Sequence, residues 1–125
     1  MGLAVAGDDT LVSGSWDKTL RMWNTRSYAC VAVVKTPSTV YPLLRLTDGT
    51  VASGHSDGVV RLWDWRRLQA VGELHGHTAR VTVMAQMPKG RFASVSDDKT
   101  VRIWDVAART CVGVITAPLR SPVAA

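Results

Sequence analysis

Three residue types familiar from hydrolytic chemistry stand in the last part of this 125-residue chain: His77, Ser94 and Asp98. They could supply a general base, a nucleophile and an orienting carboxylate. That chemistry needs an exposed Ser Oγ and donors aimed at a developing oxyanion. Residue types alone therefore assign no reaction; geometry does. His55, His75 and His77 raise the question of a metal. Their spacing is not that of a dense ligand set, and no cysteine pair stands beside them. His75 and His77 are expected in a loop before a strand, and His55 in a polar turn. Cys30 and Cys111 are too few for a disulfide framework. They read as small buried or half-buried thiols in a reducing compartment.

The elements that must position these residues come from a repeat. Residues 13–24 read SGSWDKTLRMWN, 53–64 read SGHSDGVVRLWD and 94–105 read SVSDDKTVRIWD. Trp23, Trp63 and Trp104 are 40 and then 41 residues apart. Ten residues before each stands a Ser (Ser13, Ser53, Ser94), six before it an Asp (Asp17, Asp57, Asp98), and two before it an Arg (Arg21, Arg61, Arg102). Gly49 matches Gly90, and Cys30 and Cys111 both fall seven residues after their Trp.

Within each copy the pattern is that of strands. Val101 and Ile103 alternate with Arg102 and Trp104, a period of two. Short Val-, Leu- and Thr-rich runs are separated by Gly-Asp, Asp-Gly and Lys-Gly turn signals. In the third copy strands are expected near 81–85, 92–96, 101–104 and 111–115, giving about twelve short strands over three copies. No stretch has helical periodicity.

A period of this length, four strands per copy, three Trp-Asp or Trp-Asn endings and Gly76-His77 before the third copy resemble the WD-repeat (β-transducin-like) β-propeller family. The resemblance covers nearly the whole chain. It implies an all-β fold of three consecutive four-stranded antiparallel blades forming an open arc, a partial propeller. The blades would lie at about 3–35, 40–75 and 81–116 within residues 1–116, with 117–125 a disordered tail. It also implies a structural role for the hydrolase-like residues. In the family, a Trp of the third strand, a Ser or Thr of the second, a His before the first and an Asp in the intervening turn form one hydrogen-bonded set. By that likeness the third copy holds His77, Ser94, Asp98 and Trp104. The second holds Ser53, Asp57 and Trp63, with Thr36 where the His would stand. The first holds Ser13, Asp17 and Trp23, its His falling before the start. The third blade is expected to be the most rigid and the first to fray.

By the same likeness the chain is expected to be a non-catalytic scaffold that binds peptides or proteins through its blade loops. Contact positions would be Trp16, Thr39, Tyr41, Ser56, Arg80, Thr82 and Asp97. Trp16 is a large aromatic in a turn, where it could anchor a partner or pack on a neighbouring loop. Trp65 could be an anchor or a loop staple. No cofactor and no metal are expected, and the setting would be intracellular, cytoplasmic or nuclear. An alternative is an RNA- or chromatin-associated scaffold subunit; another is a fragment of a longer propeller without independent function. Three blades should not close a ring, so an apolar face is expected bare at each end. Further blades or a second copy of the chain would cover it.

Composition and charge fit this reading. Hydrophobic residues make up 46 % and charged residues 20 %, as in a core-forming chain rather than a disordered one. No apolar run approaches the roughly 20 residues of a membrane-spanning helix. The start carries neither a secretory pattern, since Asp8 and Asp9 end a short apolar run without a basic lead, nor a myristoylation pattern, since Ala6 stands where Ser or Thr is needed. The net charge of +5 does not gather on one loop face. Lys18, Lys35, Arg80 and Lys99 share one set of turns with Asp17, Asp57, Asp97 and Asp98. A concentrated nucleic-acid footprint is not expected.

Overall fold

Alternating β-branched residues broken by left-handed turn positions produce twelve strands. A computed structural model describes residues 2–46 and 48–116; the expected tail lies outside the described residues. The first sheet contains β1 (Gly2–Gly7), β2 (Thr10–Gly14), β3 (Thr19–Asn24) and β4 (Cys30–Lys35). The second contains β5 (Val40–Arg45), β6 (Thr50–His55), β7 (Val60–Asp64) and β8 (Gln69–Leu74). The third contains β9 (Val81–Met87), β10 (Arg91–Ser96), β11 (Thr100–Asp105) and β12 (Thr110–Thr116). Each sheet is an antiparallel meander of four neighbouring strands. The fold is the expected one: all-β, three blades, with no helix among the described residues.

The copies share backbone detail as well as sequence. The residue after the turn Asp has positive φ in all three: Lys18 at 65°, Gly58 at 84° and Lys99 at 68°. This left-handed position closes the β2–β3 type of turn, and glycine adopts it without strain. Gly58 is constrained further, since a Cβ there would lie 2.5 Å from the His77 carbonyl oxygen. The pairing of the third and fourth strands slips in register next to each Trp, between Met22 and Trp23, Leu62 and Trp63, and Ile103 and Trp104. A bulge at that point increases local twist.

Two cores hold the blades together, one at each seam. At the first, Ala4, Val12 and Leu20 of the first blade pack with Val51 and Trp63 of the second. At the second, Ala52, Val60, Leu62 and Leu74 pack with Phe92 and Trp104 of the third. Successive side chains of a strand point to opposite sides. Val51 and Trp63 thus face backward along the chain, while their neighbours Ala52 and Leu62 face forward. Among the described residues only the middle blade is covered on both sides, and β6 and β7 are buried along most of their length. Each outer blade has a side that no other described residue covers: Leu3 and Val5 are each 64 % exposed, and Ile115 is 55 % exposed. Trp65 packs against the first core, with its indole over Gly7 and Arg66 stacked on the ring; it is a staple.

Candidate functional site

In the third blade the four residues singled out by the repeat converge. The Trp104 indole N–H donates to Ser94 Oγ at 2.8 Å. The Ser94 hydroxyl donates to His77 Nε2 at 2.7 Å. His77 Nδ1–H donates to Asp98 Oδ2 at 2.9 Å. The Thr78 amide and the Thr100 hydroxyl also donate to that carboxylate. An indole only donates and a carboxylate only accepts, so the two end bonds have fixed directions and the proton on Nδ1 faces Asp98; the lowered His77 pKa favours the neutral ring, with Nε2 accepting from Ser94. Burial lowers the His77 pKa, and the Asp98 contact only partly restores it. For Asp98, burial opposes ionisation, but hydrogen bonds from Thr100, His77 and the Thr78 amide prevail and bring its pKa to about 2. Ser94 is 0 % exposed. A hydroxyl held between an indole and an imidazole in the core has no path to a substrate.

The second blade departs from the sequence expectation. His55 is not a polar turn residue: it ends β6, is 0 % exposed and completes a second relay. Trp63 Nε1–H donates to Ser53 Oγ at 2.7 Å. The Ser53 hydroxyl donates to His55 Nε2 at 2.6 Å, and His55 Nδ1–H donates to the Ser38 carbonyl at 3.1 Å. Thr36, in the register of His77, donates its hydroxyl to the same carbonyl at 2.8 Å. The imidazole thus enters from the second strand, and a main-chain oxygen takes the place of the carboxylate. Burial pushes the His55 pKa down to about 4, against the weaker effect of the Ser38 hydrogen bond.

Asp57, with no histidine to hold, turns to Arg61. The guanidinium meets Asp57 Oδ2 at 2.9 Å and Glu73 Oε2 at 3.2 Å. Burial works against the Asp57 charge, yet the Arg61 and Val59 hydrogen bonds bring its pKa to about 2. In the first blade Trp23 Nε1–H donates to Ser13 Oγ at 2.9 Å. Asp17 accepts the Thr19 hydroxyl and lies 3.9 Å from Arg21. That Thr19 bond, before the other contacts, lowers the Asp17 pKa. The aligned arginines do not form one basic row. Arg21 and Arg61 meet carboxylates, whereas Arg102 lies against Gly76 and 3.8 Å from Cys111 Sγ.

The expected contact residues fall into two linked groups on the turn side. The Thr39 hydroxyl reaches the Trp16 carbonyl at 3.5 Å, and the Ser56 amide donates to the Thr39 carbonyl at 2.9 Å. Trp16 is 67 % exposed and is not packed under a neighbouring loop. Beside them, Arg80 pairs with Asp97 at 2.5 Å, which raises its pKa, and stacks over the Tyr41 ring at 5.5 Å. Thr82 is turned inward to the Val95 carbonyl. The two cysteines are free, and Cys30 is exposed rather than buried or half-buried; Cys111 is half-buried. Cys30 lies at the outer edge of the first blade, where nothing described covers it. Among the described residues no group of three or more His, Cys, Asp and Glu side chains could hold a metal ion.

A profile of the WD domain, G-beta repeat (WD40) matches residues 1–24, 36–64 and 68–105. The chain is 38 % identical over 97 residues to "Cell division cycle 20.1, cofactor of APC complex" of Arabidopsis thaliana, an alignment covering 74 % of the chain and 21 % of that protein. It is 32 % identical over 124 residues to "Mitochondrial division protein 1" of Schizosaccharomyces pombe, covering 82 % of the chain and 19 % of that protein. The chain thus spans about a fifth of the length of these relatives. In structure it resembles the RRP9 WD40 repeats, with a TM-score of 0.88 at 22 % identity, over 98 % of this chain and 40 % of that one.

Proposed function

The chain belongs to the WD domain, G-beta repeat (WD40) family, and from that premise we propose that it is a non-catalytic scaffold. Its turn side would bind a peptide or protein through Trp16, Thr39, Tyr41, Ser56, Arg80 and Asp97, while Thr82, its hydroxyl given to the Val95 carbonyl, would only support them. One observation carries the reading: an exposed Trp16, whose carbonyl meets the Thr39 hydroxyl, and a pre-ordered Arg80–Asp97–Tyr41 group both engage residues 39–41. Aromatic and Arg side chains dominate binding hot spots. A ligand of mixed polarity suits this face, with an apolar side chain for Trp16 and backbone or charged groups for Arg80 and Asp97. Arg80 is engaged by a carboxylate, which favours a protein ligand over a phosphate backbone. Catalysis is disfavoured because the hydrolase-like residues are buried and mutually satisfied. The relative described as a cofactor of the APC complex supports a role inside the cell, within a larger assembly.

The test is affinity capture of partners by the wild-type chain and by a Trp16→Ala, Arg80→Ala double variant. Loss of the captured proteins from the double variant is the expected result. Unchanged capture would remove this surface from consideration.

A further inference from the structure

Among the described residues only three arginines are not exposed, and they are the three aligned by the repeat: Arg21, Arg61 and Arg102. Their partners differ. Arg21 lies 3.9 Å from Asp17. Arg61 meets Asp57 and gives its Nε–H to Glu73 Oε2 at 3.2 Å. Arg102 meets no carboxylate. All ten Asp and Glu residues of the chain are described, and every ion pair they form is with another cation. Arg102 Nε is instead buried without a hydrogen-bond partner. Its Nη1 has only the Cys111 sulfur, at 3.8 Å, and sulfur is a weak acceptor. A buried donor left unsatisfied is costly, the more so on a charged group.

The deficit has a cause in the repeat. In the second blade the carboxylate at Nε comes from Glu73, the cross-strand neighbour of Arg61. The cross-strand neighbour of Arg102 is Val114. The turn carboxylate is engaged as well, since Asp98 accepts from His77, Thr78 and Thr100. Room for the guanidinium is nonetheless built in. It lies over Gly76, where a Cβ would come within 2.7 Å of Nη1 and 2.9 Å of Cζ. Val112 and Val114, on the edge strand beside it, are each 47 % exposed. Arg109 adds positive charge further along the same seam, over Gly72. Both walls of this seam, the second and third blades, are described, so blades added at either end of the arc would not cover it. Residues 117–125, which follow β12, contain no Asp or Glu.

We propose that Arg102 receives a Glu or Asp side chain of a separate protein, carried on an extended segment laid over Val112 and Val114 along the outer edge of the seam between the second and third blades. The molecule holds its own example of the ligand: the same arginine one blade earlier is served by a carboxylate in the register of Val114. Guanidinium and carboxylate match in charge and in planar shape. The exposed valines suit the aliphatic stem of the acidic residue and apolar residues beside it. An arginine at the centre of such a contact is a common source of binding energy. The site lies apart from the turn side and stands whether or not that side binds.

Proton–nitrogen spectra of the full chain test this, because a buried arginine Nε–H exchanges slowly enough to be seen. The probes are the capped peptide Val-Glu-Val and its neutral twin Val-Gln-Val. The Arg102 Nε–H signal should move saturably with the glutamate peptide and stay in place with the twin. The Arg61 signal should move with neither. Val114→Glu puts a carboxylate in the register of Glu73 and should occupy Arg102 from within, weakening the glutamate peptide about tenfold or more. Val114 is half exposed, so this substitution leaves the blade intact, which the amide spectrum checks. Arg102→Gln should weaken the peptide by a similar factor; should that variant unfold, Val114→Glu decides alone. A wild-type chain that binds neither peptide overturns the proposal. So do equal binding of the two peptides, a Val114→Glu variant that binds as the wild type does, or inorganic phosphate that moves the Arg102 signal as far at equal concentration.

Discussion

His55 Nε2 lies 2.6 Å from Ser53 Oγ, two residues back along one strand. Because residues two apart share a side of a strand, this short pair holds the imidazole where the third blade needs a loop residue, His77. The exchange has a second half: Thr36, small, occupies the loop register and leaves the space open. Two blades therefore reach the same indole–hydroxyl–imidazole relay by different routes, and the Asp released in one of them becomes an ion-pair partner.

His55→Ala should destabilise the chain by about 1–3 kcal/mol, because it takes the imidazole acceptor from the buried Ser53 hydroxyl, leaves the Ser38 carbonyl to the Thr36 hydroxyl alone and empties a fully buried site. His75→Ala, at an exposed residue, should change stability by no more than about 0.5 kcal/mol. Urea unfolding followed by Trp fluorescence measures both. Equal effects would contradict the relay.

Stability should fall with acidification before the carboxylates titrate. The His55 pKa is about 4 in the fold against an ordinary value of 6.5. The unfolded chain therefore takes up the proton first, and stability present above pH 6.5 is lost as pH falls toward 4, by about 3 kcal/mol. Asp98 and Asp57, held to about 2 from 3.8, add their loss only below about pH 4. Unfolding midpoints in a pH series should decline across the first window in the wild type. A His55→Asn variant should show a shallower decline there.

Trp63→Phe should cost more than Trp23→Phe. Trp63 is 4 % exposed and its loss leaves Ser53 without a donor inside the first seam, for about 1–3 kcal/mol. Trp23 makes the same bond on an uncovered side, where water can replace it. Thermal unfolding of the two variants under one condition decides the order.

Gly54→Ala should overpack the second seam. A Cβ at Gly54 would lie 2.7 Å from Val81 Cγ1 and 2.8 Å from Pro42 Cγ, and forced displacement of this kind costs about 1–3 kcal/mol. At Gly113 the nearest atom is Ile103 Cβ at 3.9 Å, so Gly113→Ala should be tolerated. Denaturant midpoints of the pair give the comparison.

The strand pattern was legible because its signals are local: alternating Val, Ile and Leu, turn residues between them, and a Trp at a constant offset. The place of His55 is not legible in the sequence, since the Gly54-His55-Ser56 stretch has turn composition. The sign available was the pairing of Thr36 in the His register with a histidine two places after Ser53. The exposure of Cys30 is illegible for another reason. Its offset from Trp23 matches that of Cys111 from Trp104, but exposure depends on what covers the blade. Burial of the two sides of a sheet is a property of neighbours, and no single strand records it.

Every seam joins an indole side to an aliphatic side, so the sequence of blades has a sense, as a row of left-facing hooks and right-facing eyes has. Whole copies inserted, deleted or exchanged in that sense would preserve the chemistry of each junction. Reversing one unit would set hook against hook. Growth of such a chain by tandem gene duplication is therefore compatible with its packing at every step, without any new junction having to be devised.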